Sequence, residues 1–448
     1  MLTRWNVRWG LLALVLGLPP AAAAQAPGAP VLTLDQAVAE AIEHSRPVRI
    51  AELEVDKAGD SLRALRTRRL PNFDVKALSG TLVAPLDFTF KTGVFGVFPQ
   101  IGPVPGQDTS IRTDPRFSTI LLGRIAQPLT QLRNIGIGRR ALDVGQDLAR
   151  QRVRAQEQIV AHNVKQLYYG LSQAQSGLQA NDAALSLYRE LERVMTEYRE
   201  RESVLPADAL VVRTALARQE QTGLVLRNTI ATLSEQMNVL LGRDPAQPFV
   251  IEPVVPPASV AVDVAAAQTR ALEQRPEVTE ARLQARQAEL DWQLKRAERT
   301  PEVSVAFNYL GFYNFEVLPR HGATLGLYAS WEPWDWGRRA AEADVKQRTV
   351  EQAGLGVREA EALIRLDVSS RARKLEEARA MLHVAELGQE TAREKLRVAL
   401  ELFKQQATLQ RQVLEAQASA AEADQQYQQT LGTFWSARAE FDKAVGER

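Results

Sequence analysis

Two hydrophobic periods alternate along this chain. From 303 to 309, Val303, Val305, Phe307 and Tyr309 alternate with Ser304, Ala306 and Asn308. From 324 to 331, Leu325, Leu327, Ala329 and Trp331 alternate with Thr324, Gly326, Tyr328 and Ser330. A period of two with one apolar and one small or polar face predicts strands. Phe73, Val75 and Ala77 repeat the pattern, with a less regular return strand near 117 to 126. Elsewhere the spacing is seven: Val164, Leu171, Leu178 and Leu185; Tyr188 and Met195; Leu226, Leu233 and Leu240; Val368, Leu375 and Leu382. The proline-free run from Gly138 to Ser203 would reach roughly 100 Å as a helix, and Gly337 to about Gln405 is similar. Helices of that length cannot bury themselves in one globular core, so their heptads predict coiled-coil packing against neighbours.

The pattern occurs twice. AIEHSRPVRIAELE, from 41, and ALEQRPEVTEARLQ, from 271, each lead through a proline into about 24 helix-favouring residues, then a second proline and alternating residues. These predict helices over 47–70 and 276–299. QPL at 127 to 129 faces EPW at 332 to 334, and GRRA at 138 to 141 faces GRRA at 337 to 340. Both GRRA runs are expected to open a long helix. The copies are offset by about 230 residues at the start and 199 at that glycine, so the first holds an insertion between 76 and 127. The organisation predicted is a leader at 1–24, a first repeat at 25–243, a proline-rich linker at 244–260 and a second repeat at 261–448. DPAQPFVIEPVVPP in the linker forbids regular helix through its five prolines.

Composition narrows the function. Arg4 and Arg8 precede the apolar run LLALVLGL and a PPAAAA tract, the anatomy of a secretory signal peptide. Removing it leaves a formal net charge of −1, which gives no reason to propose nucleic acid as a partner. No other segment approaches 18 uncharged apolar residues, as a membrane-spanning helix requires. With no cysteine, an exported form carries no disulfides. His44, His162, His321 and His383 form no metal-ligand spacing, and no phosphate loop or nucleophile elbow occurs. The expectation is a non-enzyme without cofactor or metal.

Strands and coiled-coil helices in one exported chain suggest a membrane barrel. Four strands of around ten residues are too few to close one, since small membrane barrels use about eight, so sister copies must contribute. Trp331, Trp334 and Trp336 then read as a membrane-interface belt between barrel and helices, with Arg338 and Arg339 placed to meet headgroups or acids of a neighbouring helix. The same strands also suit a soluble sheet, the same heptads a periplasmic coiled-coil scaffold without a pore, and the tryptophans an ordinary core.

Taken together, the segments LTLDQAVAEAIEHSRPV, the prolines Pro71 and Pro301 before each first strand, QPL with GIGRRAL, QMNVLLGRDP and EPWDWGRRAAEA resemble the TolC-like outer-membrane efflux proteins over almost the whole mature chain. The resemblance implies a mainly helical fold with a small β part, long antiparallel coiled-coil helices and four transmembrane strands per protomer. It implies a homotrimer with a 12-stranded barrel in outer-membrane lipid and a helical tunnel across the periplasm. Such a channel passively conducts small molecules outward, handed over by a periplasmic adaptor and an inner-membrane transporter. It also implies charged residues at the periplasmic entrance and adaptor-docking tips. Glu390 and Glu394, one helical turn apart, are the candidates for an acidic ring, or else a solvated helix face; Val204, Leu205, Thr408 and Leu409 are the docking candidates, or else plain surface turns. The tips depart from the family pattern, with Glu202 and Gln406 where a glycine is usual. The insertion, 81–117, is expected to be an outward-facing loop.

Overall fold

The computed structural model describes residues 30–81, 83–113, 116–200, 206–252, 254, 262–315, 319–405, 407 and 410–447; the leader at 1–24 lies outside them. The chain starts with β1 (Val31–Leu32), α1 (Leu34–His44) and α2 (Arg46–Thr67). Thr33 and Gln36 cap α1 reciprocally: each side chain accepts the other's backbone N–H, at 3.3 and 3.2 Å. Pro47 sits in the first turn of α2, where its missing N–H has no intrahelical partner to lose. Pro71 biases Leu70 away from helical geometry, so α2 stops short of the predicted end.

Four strands form one antiparallel sheet in the order β10 (His321–Ser330), β9 (Glu302–Tyr313), β7 (Phe117–Pro128), β2 (Asn72–Thr81). The two halves of the chain are therefore stitched through β7 and β9, with Ile125 opposite Phe307. Helices attach at one end of this sheet and the insertion at the other. The insertion is more than a loop: β3 (Leu86–Phe90) pairs with β6 (Thr109–Thr113), and β4 (Val97–Phe98) with β5 (Gly102–Pro103). Within it the Asp108 carboxylate accepts the N–H and hydroxyl of Thr92, at 2.8 and 2.9 Å.

Beyond the sheet lie α3 (Gln131–Glu200), α4 (Pro206–Leu240), α5 (Val264–Gln274), α6 (Pro276–Ala297), α7 (Arg338–Lys404) and α8 (Gln410–Val445). Gly242, at φ 71°, closes α4: its N–H bonds the Val239 carbonyl and that of Arg243 the Asn238 carbonyl. A β8 strand (Val250–Ile251) lies inside the predicted linker and pairs in parallel with β1. The Tyr168 hydroxyl fastens that pair to α3, 3.0 Å from the carbonyls of both Leu32 and Glu252 and accepting the Glu252 N–H at 3.1 Å.

The helices stand side by side as a wall. Near the sheet α2 packs on α3, with Leu65 against Gly138; farther away α4 takes that place, with Leu226 against Gly177. On the other side of α3 stand α6, through Ile137, Leu290 and Ala297, and then α8, through Tyr169 stacked 4.9 Å from Trp435. Ion pairs Arg282–Glu361 (2.8 Å) and Arg371–Glu440 join α6 and α8 to α7. Val164, Leu171, Val368, Leu375 and Leu382 are buried at their heptad positions. On α4 the heptad leucines are only half-buried, and Val212, Met237 and Leu241 fill the core instead.

Candidate channel-forming site

The outer strands of the sheet bury almost nothing within one copy, while the central β7 and β9 are mostly half-buried. Phe73, Val75, Leu325 and Leu327 are 70–74% exposed. They belong to one face: the cross-strand row Phe73–Ile125–Phe307–Leu325 is apolar throughout. The adjacent row on the opposite face, Asp74–Arg124–Asn308–Thr324, is polar throughout. Within the sheet, the outer sides of β2 and β10 have no strand beside them. An open edge carries a row of unused backbone donors and acceptors, which water satisfies and lipid does not.

The helical wall has matching edges. On α7, Val345, Leu363 and Met381 recur every 18 residues, and so do Leu366, Val384 and Leu402; all six are exposed. Eighteen residues are five helical turns, so both rows stay on one face of a straight helix, away from the buried face that carries Ile364 and Val368. The 18-residue spacing of this stripe is distinct from the seven-residue spacing of the buried positions. The opposite edge shows Ile50 and Leu53 on α2, and Leu210, Val211, Leu224 and Val225 on α4. Sheet and helices thus agree: β10 and α7 bound one side of the protomer, β2 with α2 and α4 the other.

Between them, the strand-to-helix junction is held by charge. Trp331, Trp334 and Trp336 are all exposed, so they are not core residues of the protomer. Trp336 (φ 50°) and Gly337 (φ 85°) make a left-handed turn that aims the chain into α7. The Asp335 carboxylate then caps the helix, accepting the N–H groups of Gly337 and Arg339 at 3.1 Å each. The Arg339 N–H first, then that of Gly337 and the two arginine charges, hold this carboxyl below its ordinary range. Arg338 and Arg339 converge on one Glu332 oxygen at 2.9 and 2.8 Å, so they meet acids of their own loop. Lys295 links Glu342 (2.9 Å) to the end of α6. The first GRRA run behaves differently: α3 begins at Gln131, so Gly138 lies inside a helix and opens nothing.

Glu390 and Glu394 are exposed on α7. Glu394 is paired with Arg397 at 2.6 Å, and that hydrogen bond lowers its pKa. Arg393 meets Asp424 of α8 at 2.9 Å. The two acids therefore share their stretch of α7 with arginines. Val204, Leu205, Thr408 and Leu409 lie outside the described residues. The helices leading to them share a small core of Tyr188, Leu191, Met195, Val212 and Val413. A cavity of about 470 Å³ beneath the sheet is lined by Arg133, Arg140 and Arg296. Among the described residues there is no group of acids and histidines suited to a metal, and no helix is long and apolar enough to cross a membrane.

No family model and no curated protein sequence matches the chain. Solved structures do. The outer membrane protein VceC of Vibrio cholerae superposes with a TM-score of 0.73 at 13% identity, over 92% of this chain and 96% of that one. The CmeC outer membrane channel of Campylobacter jejuni gives 0.72 at 15%, over 92% and 85%. The open state of the MtrE outer membrane channel of Neisseria gonorrhoeae gives 0.70 at 14%, over 92% and 89%. The chain has the TolC-like outer-membrane channel fold. In that fold a single protomer holds no closed barrel, which accounts for the two open edges seen here.

Proposed function

We propose that this protein is an outer-membrane channel assembled from three copies, through which small molecules leave the periplasm passively. The observation that carries the reading is the pair of edges. A β10 and α7 boundary faces one way and a β2, α2 and α4 boundary the other, so copies join head to tail and a ring closes without a free edge. Two copies would bring eight strands and three would bring twelve; three is what the family resemblance implies. The apolar row Phe73–Ile125–Phe307–Leu325 faces lipid in this arrangement, and the polar row faces the lumen. Trp331, Trp334 and Trp336 lie at the foot of the sheet, where an interface belt belongs. The two repeats, 25–243 and 261–448, are the units whose duplication supplies the paired edges. A water-soluble scaffold would leave the sheet's apolar face in water, which disfavours that alternative.

The helix ends beyond Glu200 and Lys404 are the proposed docking tips for a periplasmic adaptor, which would couple the channel to an inner-membrane transporter. Glu390 is the stronger of the two entrance candidates, because Glu394 is engaged by Arg397. The assembly is tested by carbonate extraction and gel mobility with and without heating. A channel stays with membranes and runs as a heat-modifiable oligomer, while a scaffold washes out. Replacing Glu390 and Glu394 by alanine should lower cation preference in a planar bilayer; an unchanged current removes both from the entrance.

A further inference from the structure

The inner face of the sheet carries one row that is polar on all four strands, Asp74–Arg124–Asn308–Thr324. The rows beside it on that face differ. Toward the helices stands Asn72–Ala126–Ala306–Gly326, mostly small. Toward the insertion stand Lys76–Leu122–Leu310–Gly322 and then Leu78–Ile120–Phe312, mostly apolar. Asn308 donates to the Thr324 hydroxyl at 3.4 Å, so the row is bonded across β9 and β10. Asp74 is held by Lys76, 3.6 Å away. The Arg124 guanidinium lies over the Tyr328 ring on this face, 5.4 Å from its centre.

From this we infer that Arg124 makes the barrel an anion-favouring segment of the conduit, resting on the reading of the protein as a three-copy channel. Asp74 and Lys76 cancel, which leaves one positive charge per copy and three around the lumen. Glu302 shares the face but lies six residues from Asn308 along β9, roughly 20 Å away. That is more than two Debye lengths at about 0.15 M salt. Because barrel strands tilt by roughly 40°, the three rows form a stepped belt instead of a flat ring. The belt is incomplete in one copy, since each row ends at an open edge on β2 and on β10. Its neighbours set the class of solute. Leu122, Leu310, Ile120 and Phe312 follow directly outward, so an amphipathic anion meets a cation and then an apolar surface.

The test is the reversal potential of the purified full-length protein in a planar bilayer under a potassium chloride gradient, at low and at high salt. Arg124→Glu should lower the chloride-to-potassium permeability ratio by about twofold or more at 0.1 M. The shift should shrink near 1 M, where the Debye length is about 3 Å. Arg124→Lys should keep the wild-type ratio. The chain contains no cysteine, so Arg124→Cys can be modified after pores have formed, which removes any dependence on how a variant folds. An anionic sulfonate thiol reagent should lower chloride preference, and a cationic ammonium reagent should restore it. Pores whose ratio ignores both the substitution and the reagents overturn the belt and leave the channel standing. A wild-type protein that never conducts overturns the channel reading and the belt with it.

Discussion

The sheet and the helical wall treat their apolar residues in opposite ways. Along the wall, Val164, Leu171 and Val368 are fully buried inside one copy. In the sheet, Phe73, Val75, Leu325 and Leu327 remain about three-quarters exposed, although each strand is fully paired with its neighbour where it has one. The difference is one of dimension. A helix satisfies its own backbone and needs only side-chain neighbours, which the other helices of the wall provide. A strand needs backbone partners on two sides, and four strands in a row always leave two sides open. One copy can therefore stabilise its wall, whereas both sides of its sheet stay open.

The largest test of that contrast uses two adjacent residues of β10. Leu325→Arg places a charge on the lipid face and should cost about 2–4 kcal/mol in each copy near the membrane midplane. Thr324→Arg, on the lumen face, should cost far less. The yield of heat-modifiable oligomer reads the difference, and equal losses would mean that the faces are assigned wrongly.

Next in size is a pair on the wall. Leu171→Ala should destabilise the helices by about 2–5 kcal/mol in chemical denaturation. Leu366→Ala, on the exposed stripe of α7, should leave a dissociated copy unchanged and weaken only assembly. Where sheet meets helix, the two GRRA glycines should respond with opposite signs. Gly337→Ala forces a side chain into a left-handed position and should cost about 1–2 kcal/mol. Gly138→Ala lies mid-helix, with its new methyl in ordinary contact with Leu65, and should gain up to about 1 kcal/mol.

The smallest effect concerns the wall alone. Burial first, and then Lys443, push the His162 pKa below its ordinary 6.5, against the opposing Ala439 carbonyl and Glu440. The unfolded chain then binds the proton more tightly. This contribution is complete above about pH 6.5 and is lost as pH falls below it. His162→Gln should narrow the gap between melting temperatures at pH 8 and pH 5. An unchanged gap would show that His162 is solvated.

Much of this was legible in the residues themselves. Alternation marked β9 and β10 within one to four residues at each end, since side chains on a strand must take turns between two environments. The heptads of α3 and α7 marked their buried faces. The second, 18-residue stripe on α7 stays exposed in one copy, so no burial within the fold marks it. The acids Glu390 and Glu394 were visible, but Arg397 and the Arg393–Asp424 pair change their meaning, and a one-dimensional reading gives no reason to weigh them together.

What the sequence determined by itself was the period of each segment, and hence helix or strand, because that choice rests on residues within a few positions. Tertiary structure alone decided that β7 lies beside β9, that both ends of the sheet stay open, and that two identical GRRA runs do different work. Before Gly138, Ile137 packs against Leu290 and Ala297 of α6, so α3 extends back to Gln131. Before Gly337, Pro333 cannot supply a helical N–H and Asp335 caps the first turn, so α7 starts at Arg338. The four residues are the same in both places; packing of Ile137 in one and the neighbouring Pro333 and Asp335 in the other decide which structure they produce.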